Sequence, residues 1–103
     1  MPPHPRVLTV SPKELLVLTL LARGGALYGL QLVAASKGHL KRGTVYVTLG
    51  RMEDKGLITS TAEDPPPGAG GLPRRAYAPT ALGRRMLRTW TSGTARLVPE
   101  FVR

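Results

Sequence analysis

Residues 40 to 58, Leu-Lys-Arg-Gly-Thr-Val-Tyr-Val-Thr-Leu-Gly-Arg-Met-Glu-Asp-Lys-Gly-Leu-Ile, constrain the fold more than any other stretch of this chain. Val45, Leu49 and Met52 fall at i, i+4 and i+7, so a helix through them has one face that must be buried. Thr44, Thr48, Arg51 and Lys55 repeat at the same spacing and are read as the far side. Gly56 stops the helix where a left-handed backbone is cheap, and Leu57-Ile58 begins an apolar extended run. A helix docked by one side, with short hydroxyls and cations on the other, is shaped to enter the major groove of duplex DNA. An ordinary surface helix with solvated charges fits this segment equally well, so the rest of the chain has to decide.

At 103 residues the chain is one domain, or one domain with an appended helix. A chain this size buries roughly two thirds of its unfolded surface, so its core is modest and a partner subunit would add to it. Lys and Arg number 15 against 6 acids, a formal net charge of +9, and arginine dominates. Guanidinium groups pair well with phosphate, so the excess points to an anionic partner. A membrane surface also attracts cations, but no strongly amphipathic Lys-rich helix is present. There are no cysteines, which excludes disulfides and thiolate metal sites. Met-Pro-Pro-His-Pro-Arg is followed by no long apolar run, so no secretory signal is expected. Leu15 to Ala22 is too short to span a bilayer, and a cytoplasmic protein is the expectation.

The order of elements carries the argument further. Residues 1 to 10 hold three prolines and read as a mobile arm. Ser11-Pro12-Lys13-Glu14 reads as a helix start, with a capping serine, a proline in the first turn and a glutamate to close a capping box. The helix through Leu15 to Leu21 is apolar nearly all round and belongs at the centre of a small domain. Gly24-Gly25 breaks it. A second helix is read from about Tyr28 to Lys37, with Leu30, Val33 and Ala34 inward and Gly38 at its end. With the short connection to Lys41 this makes a helix-turn-helix. Leu57 to Glu63 and Pro73 to Pro79 read as two strands around a Pro- and Gly-rich hairpin loop. Thr80 caps a last helix, with Leu82, Met86, Trp90 and Leu97 on its apolar side and Arg84, Arg85 and Arg88 opposite. Gly93 weakens that helix and Pro99 stops it.

Several separate segments, in order, resemble the PadR-like transcriptional regulators in their small form. They are Leu-Tyr-Gly-Leu-Gln-Leu at 27 to 32, Gly43-Thr44-Val45-Tyr46 with Leu49, Arg51-Met52-Glu53 and Gly56-Leu57-Ile58, Gly70 to Tyr77, and Thr80 to Arg84. The resemblance covers residues 14 to 88. It implies a homodimeric winged helix-turn-helix repressor, joined mainly through the final helix and in some members released by a small-molecule effector. Family members commonly carry cations near positions 47 and 50, where this chain has Val47 and Gly50. Trp90 falls about a turn earlier than the tryptophan of the multidrug-repressor pocket and is read as a dimer-core side chain.

The resulting expectation is a mainly α fold with a small β-hairpin, a winged helix-turn-helix with a C-terminal dimerisation helix. Residues 1–10 form the arm, 11–79 the DNA-binding domain and 80–103 the dimerisation helix. The partners are double-stranded DNA and a second copy of the chain. Lys41, Arg42, Tyr46, Arg74 and Arg75 are assigned to phosphates, and Thr44, Thr48 and Arg51 to base edges. Leu82, Met86, Leu87, Trp90 and Leu97 are assigned to the dimer interface. No catalytic residue, metal or cofactor is expected. His4 and His39 have no acid beside them in sequence, and Glu53 is read as a structural partner to an arginine. The rival reading is a winged module for protein or structured RNA. Tyr28, Tyr46 and Tyr77 are too dispersed for a base-stacking platform, which favours duplex DNA.

Overall fold

The computed structural model describes residues 9–64, 68 and 74–94, the side chains of 91–94 excepted. In chain order the elements are α1 (Pro12–Gly24), β1 (Leu27–Tyr28), α2 (Gly29–Ala35), α3 (Val45–Asp54), β2 (Ile58–Glu63), β3 (Arg74–Pro79) and α4 (Ala81–Thr94). Residues 1–8 of the arm, most of the hairpin loop, Leu97 and Pro99 lie outside the described residues, whereas Val10, at the arm's end, is buried in the core. Among those residues, no helix is long and apolar enough to cross a membrane.

Helix α1 starts where its capping box predicts. Ser11 Oγ accepts from the Glu14 N–H at 3.2 Å, and Glu14 Oε1 accepts from the Ser11 N–H at 3.0 Å. The helix is the hub of the core: Leu15, Leu16, Val17, Leu18 and Leu21 are all buried. Leu32 from α2, Val45, Leu49 and Met52 from α3, and Ile58 and Tyr77 from the strands join the same cluster. The buried Thr19 hydroxyl donates to the Leu15 carbonyl at 2.9 Å, which removes the cost of an unpaired polar atom.

The sheet has three antiparallel strands in the order β1-β3-β2. The hairpin pairs Ile58 with Pro79 and Glu63 with Arg74. The two-residue β1, which the sequence reading does not include, adds Leu27 opposite Tyr77. Gly56, at φ 79°, ends α3 as expected: the Gly56 N–H reaches Glu53 O and the Leu57 N–H reaches Met52 O, each at 2.9 Å.

Expectations about facing are corrected in two helices. In α2 Gly29 and Leu32 are buried and Val33 packs against the core as expected, while Leu30 is 48% exposed and Ala34 is exposed. Leu32 occupies the core position, and Leu30, two residues away, is carried outward. In α3 the stripe of Thr44, Thr48, Arg51 and Lys55 does not lie opposite the apolar seam. At about 100° per residue its centre is only roughly 90° from that of Val45, Leu49 and Met52, so its inner edge is covered. Thr48 is accordingly buried, and Lys55 is half-buried.

Lys55 is turned to a structural task. Its Nζ lies 2.8 and 3.1 Å from the two carboxylate oxygens of the buried Glu14 and 2.7 Å from the Thr9 carbonyl. The end of α3 is thereby tied to the start of α1. Lys55→Met keeps the aliphatic stem but strips the Glu14 carboxylate of its counter-charge. We expect a loss of about 1–3 kcal/mol in urea unfolding, and an unchanged midpoint would show the pair to be energetically idle.

On α4, Leu82, Met86, Leu87 and Trp90 are half-buried against the core of their own chain, and Arg84, Arg85 and Arg88 are exposed.

Candidate functional site

The turn between α2 and α3 is built by its own backbone and one serine. Ser36 Oγ donates to Val33 O at 2.8 Å and accepts from the Leu40 N–H at 2.9 Å. Leu40 is buried and anchors the turn, while Lys37 and Gly38 adopt positive φ. The Lys41 carbonyl accepts from the N–H groups of Thr44 and Val45, so α3 begins at Val45 and not near Leu40. Lys41, Arg42 and Thr44 stand exposed in this approach to α3.

Beside it, β1 runs directly into α2, and its pairing with β3 draws the hairpin base next to the first turns of α2 and α3. A cleft of about 700 Å³ results. Residues 28–31 form one wall, Tyr46 another, and Arg74, Arg75 and Tyr77 the third.

Tyr46 is half exposed, and its ring lies on the backbone of Gly29. A Cβ at Gly29 would fall 2.6 Å from the ring carbon Cε1 and from the hydroxyl oxygen, so only glycine leaves room for this contact. Arg74 sits over the ring of Tyr28, 4.4 Å from its centroid, an attractive cation–π geometry. Tyr28 in turn donates its hydroxyl to Glu63 Oε1. Arg75 donates to Ser60 Oγ at 2.9 Å, and Ser60 donates to Glu53 Oε2 at 2.7 Å. Glu53, expected to partner an arginine, is linked to Arg75 only through Ser60.

The hydrogen bond to Glu63 holds the Tyr28 hydroxyl above its usual pKa, with burial adding to the effect and the Arg74 charge opposing it. Burial first, then the charges of Glu53 and Tyr46, push Tyr77 upward as well. Both phenols therefore stay neutral near pH 7 and bring no negative charge to a cleft flanked by two guanidinium groups. Among the described residues no group of three or more His, Cys, Asp or Glu side chains could hold a metal ion. The cleft thus sets two guanidinium groups, Arg74 held over the Tyr28 ring and Arg75 held by Ser60, beside the phenol of Tyr46, an arrangement that can receive an anionic group.

The structure brings Tyr46, Arg74 and Arg75 together in this cleft. Lys41, Arg42, Thr44 and Arg51 are exposed but are not among its lining residues. Thr48, only 8% exposed, leaves the outward set: its neighbours on the α3 seam, Val45, Leu49 and Met52, are fully enclosed with it. Sequence reasoning missed Tyr28, Gly29, Leu30 and Gln31 as cleft residues, although the Tyr-Gly pair before α2 is the local signal for them. Val47, which the sequence sets where family members commonly carry a cation, is 57% exposed on the outer face of α3.

The profile described as "Transcriptional regulator PadR-like family" matches residues 17–89. No curated protein matches the chain. Bacillus subtilis PadR, solved in complex with operator DNA, aligns with a TM-score of 0.65 at 26% identity, covering 74% of this chain and 44% of that one. The chain thus spans less than half the length of that relative. A PadR family transcription regulator from Clostridium difficile aligns at 0.63 and 25% identity, covering 86% and 96% of the two chains. A PadR family transcriptional regulator from Eggerthella lenta gives 0.67 and 27%, covering 86% and 80%. The profile match runs from within α1 into α4 and so takes in the helix-turn-helix, the hairpin and the cleft between them. This chain belongs to the PadR-like family of transcriptional regulators.

Proposed function

We propose that this protein is a sequence-specific duplex-DNA-binding regulator, a cytoplasmic repressor that acts as a homodimer on a two-fold operator. The observation that carries the reading is the cleft in which Arg74 and Arg75 of the hairpin face Tyr46 of α3. A phosphate strand passing between wing and recognition helix needs cations on one side and a donor on the other, which is what this cleft provides. The operator complex of Bacillus subtilis PadR, a structural relative at 26% identity, supports the same reading.

In this account residues 11–79 form the DNA-binding unit, residues 80–103 the dimerisation helix and residues 1–10 an arm. Lys41, Arg42, Tyr46, Arg74 and Arg75 contact phosphates, and Thr44 and Arg51 approach base edges. Leu82, Met86, Leu87 and Trp90, half-buried in one chain, gain their remaining cover from the partner, together with Leu97.

The test is selection from a pool of random duplexes by the purified chain, followed by competition with duplex RNA at matched salt. An enriched DNA sequence that RNA does not displace supports the reading, and retention of RNA and DNA alike would contradict it. With the selected duplex, Arg74→Ala should weaken binding to all sequences uniformly. Arg51→Ala should also relax preference at one base pair by about 1–3 kcal/mol. Equal loss of discrimination from both variants would contradict the division into phosphate and base contacts.

A further inference from the structure

Val47 has the largest exposure of the exposed large hydrophobic side chains among the described residues. At about 100° per residue it stands roughly opposite the buried Val45, Leu49 and Met52 seam, at the crest of the outward face of α3. Gly50 follows three residues on and Arg51 four residues on, so both flank it on that face. A Cβ built at Gly50 meets nothing within 4 Å, so the fold itself does not require glycine there. Glycine inside a helix is destabilising relative to alanine. The crest of α3 therefore pairs an exposed branched apolar side chain with a bare position that costs stability and relieves no crowding within the chain.

We propose that Val47 packs against the C5-methyl group of a thymine in the major groove, with Gly50 as the gap that lets that base edge come into contact. The assignment rests on the duplex-DNA reading above. A valine side chain can neither donate nor accept a hydrogen bond, and the thymine methyl is the apolar group that the major groove presents. The crest is flanked by cations, with Arg51 one turn along and Lys41 and Arg42 in the turn before α3, all exposed. That setting suits a polyanion more than an apolar protein surface. The other two exposed large hydrophobics, Leu30 and Tyr46, line the cleft, so Val47 is an isolated apolar point rather than part of a continuous patch.

The experiment uses the full chain and the duplex it selects, with each thymine replaced singly by deoxyuracil, which removes only the methyl group. For the native protein we expect one thymine per half-site at which the replacement weakens binding about fourfold, the effect of burying one methyl. Replacement in both half-sites should multiply to about fifteenfold. Val47→Ala, at an exposed position, should keep its fold by circular dichroism and bind thymine and uracil duplexes alike. Gly50→Ala should unfold at a higher temperature yet bind about threefold more weakly or worse, because its methyl occupies the gap. Indifference of the native protein to every uracil overturns the assignment while leaving a selected operator, and hence the DNA reading, intact. Uracil sensitivity that survives in Val47→Ala also overturns it, and unimpaired binding by Gly50→Ala overturns the gap. If no duplex is enriched at the outset, the reading beneath fails and this assignment falls with it.

Discussion

Gly83→Ala is expected to lower the unfolding free energy by about 3 kcal/mol or more, the largest stability loss of any glycine-to-alanine change among the described residues. A Cβ at this position would lie 2.1 Å from the Leu57 carbonyl oxygen and 3.1 Å from Leu18 Cδ2. Flexible side chains can retreat from such a clash, but the first obstacle here is backbone. That carbonyl also accepts the Thr80 N–H at 3.0 Å, so it cannot turn away without breaking a bond. Thr80 Oγ1 donates to Gly56 O at 2.6 Å and accepts the Gly83 N–H at 3.0 Å, which fixes the first turn of α4 onto the junction of α3 and β2. The added methyl has to push α4 outward, loosening Leu82, Met86 and Trp90 from the core they pack against. Chemical denaturation compares the variant with the native chain, and Gly50→Ala serves as a control in which the same methyl meets nothing. Equal midpoints for Gly83→Ala and the native chain would mean that α4 is not docked in this way.

What was legible in the sequence is what local chemistry decides. The Ser11–Glu14 capping box and the left-handed Gly56 each depend on residues within one turn, and each is found where its pattern places it. Thr80 caps the last helix for the same reason, and the two hairpin strands need only the apolar and turn pattern between residues 57 and 79. The facing of α3 was harder. Its apolar seam was plain, but Thr48 and Lys55 lie on a flank where neighbouring elements decide what is covered. Glu14, the partner that draws Lys55 inward, is 41 residues away and carries no local mark of that pairing. Strand β1 has two residues, too few for a period to show. The cleft depends on it, because the β1–β3 pairing sets the hairpin base beside Gly29 and Tyr46. Tyr28, Gly29 and Leu30 were therefore visible as a motif but not as a wall of the site. Leu30 shows the same limit from the other side: a leucine in a short helix reads as core by pattern, yet Leu32 holds that place.

The proposed function requires the cationic face to meet the phosphates of a two-fold duplex site. Two recognition helices related by a dyad must meet half-sites about one helical turn apart, roughly 34–36 Å, to enter the same face of the duplex. Lys41, Arg42, Arg74 and Arg75 in each subunit, with Arg51 nearby, would neutralise about six to ten phosphates per dimer. Each neutralised phosphate releases a condensed counterion, and that release drives binding less as bulk salt rises. The most direct measurement is a titration of the selected duplex, its half-site and a scrambled duplex at roughly 50 and 200 mM salt. The account predicts that affinity for the selected duplex falls by about 10³–10⁵ between the two salts, with the intact two-fold site bound more tightly than the half-site or the scramble at both. Weak binding that is flat in salt and indifferent to sequence would contradict it.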